Sequence, residues 1–191
     1  MGDPKRPRRK YETPRHPWSK AQLDAELRLV GEYGLRNKKE LRRHQADLSK
    51  YWKRARELQA LPAEDRMKPQ DELLSKMQSQ GLIPEGGNID NVLDLKIGNI
   101  LDRRLQTCVY RLNLSRTPQQ ARQLISHGHI AVGNRKVTSP SYITKREEES
   151  EVKYAQSSRF SRDDSLIRGP SSAGPENQVS AGPENQVTGE A

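Results

Sequence analysis

The feature that most constrains this chain is a run of 44 residues, 103–146, that contains nine Lys or Arg residues and no Asp or Glu. Acids make up 25 of the 191 residues, so a run of this length without one indicates clustering of positive charge rather than a random order. Because like charges repel unless an anion lies among them, the run predicts a surface that meets a polyanion.

Apolar periodicity upstream of the run and within it predicts an α-helix. Ile97, Leu101, Leu105, Cys108 and Leu112 are spaced by three or four positions, which places them on one stripe of a single helix. Most of the arginines in this stretch lie off the stripe, so we expect them to face outward.

A second helix is predicted to begin at Thr117. Thr117 is a favourable N-cap, Pro118 suits the first helical position, and Gln120 completes a capping box. Gly128 is expected to end this helix. Ala121, Leu124 and Ile125 would then face the core, and Arg122 and Gln123 would face solvent.

A β-hairpin is predicted after the second helix. Apolar residues alternate at Ile130 and Val132, Gly133 and Asn134 are typical turn residues, and Val137 begins a return strand. A last strand is expected at 152–154. Together with the helices, this pattern predicts an α+β unit with one apolar side and one arginine-rich side.

Composition narrows the class of protein. The net charge is +9 with a pI near 9.8, which favours nucleic acid or an anionic membrane surface as partner. The single cysteine, Cys108, excludes a disulfide framework and any multi-thiolate zinc site within the chain. No apolar leader and no stretch near 18 apolar residues is present, so we expect an intracellular chain outside membranes.

The N-terminal third is also basic. Residues 1–60 hold 17 basic and 8 acidic residues, a net charge of +9, whereas residues 61–100 have a net charge of −3. Residues 1–18 alternate cations with prolines and predict an extended, disordered arm that orders on phosphate. Two helices are expected next, from Ser19 with Gln22 and from Asn37 with Glu40 as capping boxes, the second reaching about Leu61.

Pro62 and Pro69 are interpreted as bracketing a linker, followed by a short helix over 71–80. The octapeptide SAGPENQV occurs twice between 172 and 187, and its composition predicts a disordered, low-complexity tail. We therefore divide the chain into a basic arm (1–18), a helical region (19–92), a compact basic α+β domain (93–160) and a tail (161–191).

Several motifs resemble the RNA-binding domain named after ribosomal protein S4 of the small subunit. They are residues 103–107 (RRLQT), 115–117 (SRT), 121–125 (ARQLI), 127–130 (HGHI) and 140–142 (PSY). Outside that domain, residues 1–5 (MGDPK), 11–18 (YETPRHPW) and 32–38 (EYGLRNK) are similar to the archaeal and eukaryotic branch of the same family. The resemblance covers about residues 1–160.

The resemblance implies a structural, non-enzymatic constituent of the small ribosomal subunit in the cytoplasm. It further implies early binding to the five-prime domain of the rRNA, a neighbouring ribosomal protein at the mRNA entry side, and support of translation accuracy. It also implies that the N-terminal region folds largely on rRNA. No metal, cofactor or small-molecule substrate is expected. In the hairpin the chain has Val132-Gly133-Asn134-Arg135 where bacterial relatives usually have Val-Asn-Gly-Lys, so the turn type stays open.

Arginines and lysines are the candidate phosphate contacts, because guanidinium forks and ammonium groups bind phosphate oxygens, and the polar side chains beside them would fix orientation. The predicted RNA-binding residues of the domain are Arg103, Arg104, Thr107, Ser115, Arg116, Thr117, Gln120, Arg122, Gln123, His127, His129, Asn134, Arg135 and Lys136. Those of the arm and the helical region are Lys5, Arg6, Arg8, Arg9, Lys10, Arg15, Arg42, Arg43, Lys50, Lys53 and Arg54.

Two other classes of protein are alternatives to a structural ribosomal protein. An RNA-modifying enzyme can carry the same domain, but it needs a further catalytic domain, and residues outside 93–160 are basic helix, linker and tail. A polybasic membrane-surface protein would need a strongly apolar helix face beside its cations. His127 and His129 have no carboxylate near them in sequence, which disfavours a metal pair.

Overall fold

Helices form most of the N-terminal part of the chain, in a computed structural model that describes residues 9–161. The helices are α1 (Lys20–Glu32), α2 (Lys38–Gln59), α3 (Ala63–Ser79), α4 (Ile89–Leu93), α5 (Ile97–Asp102), α6 (Leu105–Arg111), α7 (Pro118–Ser126) and α8 (Arg146–Glu149). The strands are β1 (Ile130–Val132), β2 (Arg135–Lys136) and β3 (Val152–Tyr154). A 3-10 turn, Arg159–Ser161, ends the described part. The α+β class expected from the sequence is confirmed.

The strands form one antiparallel sheet in the order β2-β1-β3. The predicted hairpin joins β1 to β2 with Val132 opposite Arg135, and Val132 also pairs with Val152 of β3. Of the two turn residues only Gly133 has a positive φ, 59°, which is the pattern of a type II′ turn. Glycine adopts this φ without strain, so the turn and its register are set locally.

Helix starts follow the predicted caps. The Asn37 side chain accepts a hydrogen bond from the Glu40 backbone N–H at 3.1 Å, and the Thr117 hydroxyl accepts one from the Gln120 N–H at 3.1 Å. Ser19 precedes α1 but makes no side-chain capping bond. Gly128, with φ of 73°, follows the end of α7 as expected.

The prediction of one continuous helix over 97–112 was wrong. Two helices, α5 and α6, replace it, because residues 103–104 leave the helical path to pair with a distant segment. Leu105 donates its N–H to the Tyr142 carbonyl at 2.7 Å, and Thr144 donates to the Arg103 carbonyl at 2.9 Å. Leu101, Leu105 and Cys108 are buried as predicted, whereas Leu112 is 41% exposed.

The predicted linker between Pro62 and Pro69 was also wrong, because α3 begins at Ala63 and runs through Pro69. Pro69 removes one backbone donor from the helix interior. Leu73 and Met77 are buried against α2, α4 and α5, and this packing offsets the loss.

Three apolar clusters hold the described chain together. The largest joins α2 and α3 to the segment 82–100, and a second lies beneath the sheet between α6 and α7. A small third cluster of Leu35, Leu41 and Leu101 connects the N-terminal helices to α5. No helix within residues 9–161 has the length and apolar character to span a membrane. Residues 1–8 and the predicted tail from 162 onward lie outside the described residues.

Candidate nucleic-acid interface

Most cations of the acid-free run are paired with carboxylates that come from outside it. The pairs are Arg103 with Glu149 (2.7 Å), Arg104 with Glu40 (3.4 Å), Arg111 with Asp102 (2.5 Å), Arg122 with Glu40 (2.7 Å) and Arg146 with Glu85 (2.7 Å). The absence of acids along the run therefore does not leave its cations unopposed in the fold. This finding changes which of them are available to a polyanion.

Arg104 lies in the interior rather than on the surface. Only 1% of the residue is exposed, and its guanidinium donates to Glu40 and to the His44 ring nitrogen Nε2 at 3.1 Å. Burial lowers the pKa of Arg104, and the charge of Glu40 opposes that shift. We therefore correct the prediction that Arg104 contacts RNA: it joins α2 to the beginning of α6.

His44 is part of the same buried group. Its pKa is lowered to about 4, chiefly by burial and next by the charge of Arg104. The neutral ring can accept the hydrogen bond from Arg104, whereas a protonated ring would place a second cation against the guanidinium. The buried group formed by Glu40, His44 and Arg104 therefore requires a neutral histidine.

Glu40 binds Arg122 with both carboxylate oxygens, at 2.7 and 3.1 Å. Burial raises the pKa of Glu40, but the hydrogen bonds and charges of Arg122 and Arg104 lower it overall. The Arg122 side chain is 24% exposed. Arg122 thus faces solvent only in part, and its guanidinium is held by an internal anion.

Thr107 and Ser115, two further predicted contacts, are also buried. The Thr107 hydroxyl donates to the Leu101 carbonyl at 2.8 Å, and Ser115 is 5% exposed. Their hydroxyl groups do not reach the surface, so we correct both predictions. Arg103 is half-buried, and its guanidinium packs against Gly81 as well as binding Glu149.

Gln106 is a structural residue that the sequence analysis did not single out. It is 1% exposed and donates to the carbonyl oxygens of Gly34 and Pro118, both at 2.9 Å. One amide group thus joins the α1–α2 turn to the first turn of α7. The sequence offered a signal only in the position of Gln106 beside the apolar Leu105, where a polar side chain must find buried partners.

The remaining predicted residues of the domain lie on α7 and the β1–β2 hairpin, which we call the α7–hairpin surface. Arg116, Gln123, His127, Asn134, Arg135 and Lys136 are exposed there, and His129 is half-buried. Thr117 and Gln120 act as capping residues of α7, since the Gln120 side chain accepts from the Arg116 N–H at 2.8 Å. Three exposed cations of the run, Arg116, Arg135 and Lys136, therefore lie next to α7 or on the hairpin.

The basic residues of the helical region divide into paired and exposed groups. Arg42 bonds to the buried Glu26 at 3.3 Å, Lys50 pairs with Asp47, and Lys53 lies 3.8 Å from Glu57. Arg43 and Arg54 are exposed on α2, and Arg9, Lys10 and Arg15 are exposed in the arm. Arg9 lies over the Tyr11 ring at 4.4 Å. The predicted contacts Lys5, Arg6 and Arg8 lie outside the described residues.

Within residues 9–161, no three His, Cys, Asp or Glu side chains are grouped so that they could hold a metal ion. Cys108 is buried as predicted, with its sulfur 3.1 Å from the Thr144 hydroxyl, and burial raises the pKa of its thiol. This environment makes the thiol a poor nucleophile.

A helix pair, a three-stranded sheet and an exposed cationic surface define an RNA-binding domain, and residues 103–150 match the model of the S4 domain family. Three archaeal proteins named small ribosomal subunit protein uS4 are similar over most of the chain. That of Ignicoccus hospitalis is 49% identical over 84% of this chain and 96% of its own length. Those of Hyperthermus butylicus and Methanoregula boonei are 50% and 48% identical over 85% and 84% of this chain, and over 92% and 89% of their own lengths. The chain belongs to the uS4 family of small-subunit ribosomal proteins.

Proposed function

We propose that this chain is a structural constituent of the small ribosomal subunit and binds its rRNA. The observation that carries the proposal is family membership over most of the chain, together with an S4 domain at 103–150. The exposed cations of the α7–hairpin surface agree with it, because phosphate contacts supply most of the affinity for RNA. The proposed location is the cytoplasm, within the small subunit.

The proposed interface differs from the set expected from sequence. Arg116, Arg135 and Lys136 on the α7–hairpin surface, with the exposed cations of the arm, are the proposed phosphate contacts. Arg104 is excluded by burial, and Arg103 and Arg122 act mainly through their internal ion pairs. His127, Asn134 and Gln123 are exposed beside the cations and are proposed as hydrogen-bonding groups.

Finer features of the role follow from resemblance to the family. We propose binding to the five-prime domain of the rRNA, a position next to another ribosomal protein at the mRNA entry side, and support of translation accuracy. Helices α2 to α5 share an apolar core. We therefore propose that the arm folds on rRNA, and that the whole N-terminal region does not.

An RNA-modifying enzyme with the same domain is the alternative class. An enzyme of that class needs a separate catalytic domain, whereas 84% of this chain aligns with a protein named small ribosomal subunit protein uS4. The relatives carry a structural protein's name across that alignment. The non-enzymatic role is therefore the one that the observations favour.

The test is the salt dependence of binding to a transcript of small-subunit rRNA from one of the archaeal relatives. Arg135→Gln with Lys136→Gln removes two charges from exposed positions on β2. Each lost phosphate contact should reduce the slope of log K against log salt by about 0.9. The double variant should therefore lower the slope by roughly two.

Lys68→Gln with Lys96→Gln is the matched control, because it removes the same charge from exposed positions in the acidic stretch 61–100 that are not among the proposed contacts. Its slope should equal that of the unmodified protein. Equal slopes for both double variants would remove β2 from the interface, and failure of the unmodified protein to bind the transcript would contradict the proposed function itself.

A further inference from the structure

A cleft of about 380 Å³ lies where the end of α7 meets the 3-10 turn Arg159–Ser161. Three of its lining residues, Leu124, Arg159 and Phe160, were not among the predicted contacts. The lining residues are Gln120, Gln123, Leu124, His127, His129, Arg159 and Phe160. The cleft adjoins the α7–hairpin surface but has a different chemistry from the exposed lysine and arginine on β2.

Flat apolar groups form the inner part of the cleft. The His129 and Phe160 rings meet edge to face, with centroids 4.8 Å apart and planes at 84°. The His127 and His129 rings are nearly parallel, at 11°, with centroids 6.3 Å apart. Leu124, 5% exposed, lies beneath them. The faces of these rings, together with the aliphatic side chain of Leu124, offer contacts to a planar ligand.

The polar part of the cleft is cationic or neutral. Its lining contains one arginine, two histidines and two glutamines, and no carboxylate. Gln123, His127 and Arg159 are exposed at its mouth. His129 is oriented by a 3.0 Å hydrogen bond between its Nδ1 and the Ser158 hydroxyl. The ring is therefore held in place before any ligand arrives.

We propose that this cleft binds one unpaired nucleotide of RNA, with the base against Phe160, His129 and Leu124 and the phosphate at Arg159. The proposal rests on the proposed function and extends it to a subsite for a single base. Aromatic side chains that stack on unpaired bases, beside cations that bind the backbone, are the usual means by which proteins hold single-stranded RNA. Gln123 is placed to bond to the edge of the base.

The shape of the cleft favours an unpaired base over a duplex. The faces of paired bases are covered by their stacked neighbours in an A-form helix, so a base can lie against the rings of this cleft only when it is turned out of the helix. A phosphate ion alone would make no contact with the apolar part of the cleft. The mixed lining therefore selects a ligand with one flat apolar part and one anionic part.

A pH dependence follows from His129. The pKa of His129 is lowered by burial and by the charges of His127, Lys136 and Arg159, which are the ionisable groups that act on it. A bound phosphate would raise the pKa of His129, so the complex would hold more protons than the free protein. Affinity should then rise as the pH falls through the interval between the free and bound pKa values.

The test uses the full chain and the archaeal small-subunit rRNA transcript, prepared with 4-thiouridine in place of uridine. Phe160→Leu keeps an apolar side chain but removes the ring, and should weaken binding by about five- to twentyfold. Arg159→Gln should lower the salt slope by about one. Tyr110→Leu is the matched control, because Tyr110 is 41% exposed and does not line the cleft, and its affinity should not change.

Cross-linked peptides then report the position of the base. Cross-links at residues 127–129 or 159–160, from a uridine that is unpaired in the rRNA, would support the subsite. If the transcript binds but Phe160→Leu and Tyr110→Leu behave alike and no cross-link reaches these residues, the subsite is wrong and the proposed function stands. If the unmodified protein does not bind the transcript, the proposed function fails first.

Discussion

At Glu40 a single carboxylate accepts hydrogen bonds from two arginines, Arg104 and Arg122, that lie 64 and 82 positions further along the chain. The carboxylate group offers enough lone pairs for both guanidinium groups. His44, one turn further along α2, accepts another bond from Arg104. Three elements are therefore held together by one small polar group in the interior.

Glu40→Gln should destabilise the protein by about 2–4 kcal/mol, because it leaves the buried Arg104 without its anion. An amide also places donors against two guanidinium groups that only donate. The change is measured as the free energy of unfolding in urea. Glu57→Gln is the control: Glu57 pairs with Lys53, both side chains are more than half exposed, and the loss should stay below about 0.5 kcal/mol. Equal losses in the two variants would contradict the role given to Glu40.

His44 predicts a loss of stability in mild acid. Its pKa is about 4 in the folded chain and about 6.5 when unfolded, so between these pH values only the unfolded state binds the proton. Stability is therefore complete above pH 6.5 and falls as the pH drops toward 4, by roughly 3 kcal/mol from this group alone. Urea unfolding at a series of pH values measures the slope.

His44→Gln is the comparison for that slope. A glutamine oxygen can accept from Arg104, yet the side chain does not titrate, so this variant should lose less stability than the unmodified protein between pH 6.5 and 4. The pKa of Glu40 is lowered from its ordinary value of 4.5, so the stability that Glu40 contributes is lost only below about pH 4.5. Between pH 4.5 and 6.5 the effect of His44 on stability can therefore be measured separately from that of Glu40. Parallel curves for the two proteins would exclude His44 as the cause.

Residue identities along the chain do not reveal such pairing. The clustering of cations at 103–146 was visible in the sequence, but the acids that neutralise Arg104 and Arg122 lie on α2, and Glu40 had been assigned only to the cap of that helix. Because an ion pair depends on distance in space rather than in sequence, burial of Arg104 could not be predicted from local charge. The exposure of the positions on β2 could be predicted from the sequence, because the register of the hairpin is set by its own turn residues.

Helices that begin with a local signal were predictable as elements. The starts of α2 and α7 depend on a side chain and a backbone N–H only three residues apart, as at Asn37 and Thr117. The break between α5 and α6 depends instead on hydrogen bonds between residues 105 and 142 and between residues 103 and 144, which no local pattern contains. Likewise, α3 passes through Pro69 because of packing against α2.

The turn between α1 and α2 packs directly on the first turn of α7. Gly34 has φ of 58°, and a Cβ added there would lie 2.6 Å from the Pro118 Cβ. Gly34→Ala should therefore cost about 2 kcal/mol or more, since both the backbone conformation and the close approach oppose a side chain. Urea unfolding monitors the effect.

Gly31→Ala is the matched control, because a Cβ at Gly31 meets nothing within 4 Å and the residue lies within α1. Alanine there should leave stability unchanged or raise it by up to about 1 kcal/mol. A loss at Gly31 as large as that at Gly34 would show that the approach of the turn to Pro118 is not the cause.

For the molecule as a whole, charge is distributed unevenly along the chain. The net charge of +9 over residues 1–60 is followed by −3 over 61–100 and then by the acid-free run. Five cations of that run form ion pairs with acids of this chain, and three of them, Arg103, Arg104 and Arg122, have side chains that are at most 24% exposed. We therefore expect attraction for a polyanion mainly at the exposed cations of the arm, of α2 and of the α7–hairpin surface.

Removal of residues 170–191 should leave binding to the rRNA transcript intact. This segment contains three glutamates and no lysine or arginine, so it supplies no charge that could contact phosphate. The dissociation constant of the shortened chain at fixed salt measures the effect. A weakening of tenfold or more would assign the repeated octapeptide a part in binding.

The ion pairs of Glu40 also set an order of events during synthesis. Glu40 leaves the ribosome 64 residues before Arg104, an interval of roughly 3–13 s at 5–20 residues per second. Until then, Glu40 on α2 has no ion-pair partner of its final arrangement, because Arg104 and Arg122 have not been translated. The nascent N-terminal helices therefore reach their final arrangement only after Arg104 and Arg122 have been translated.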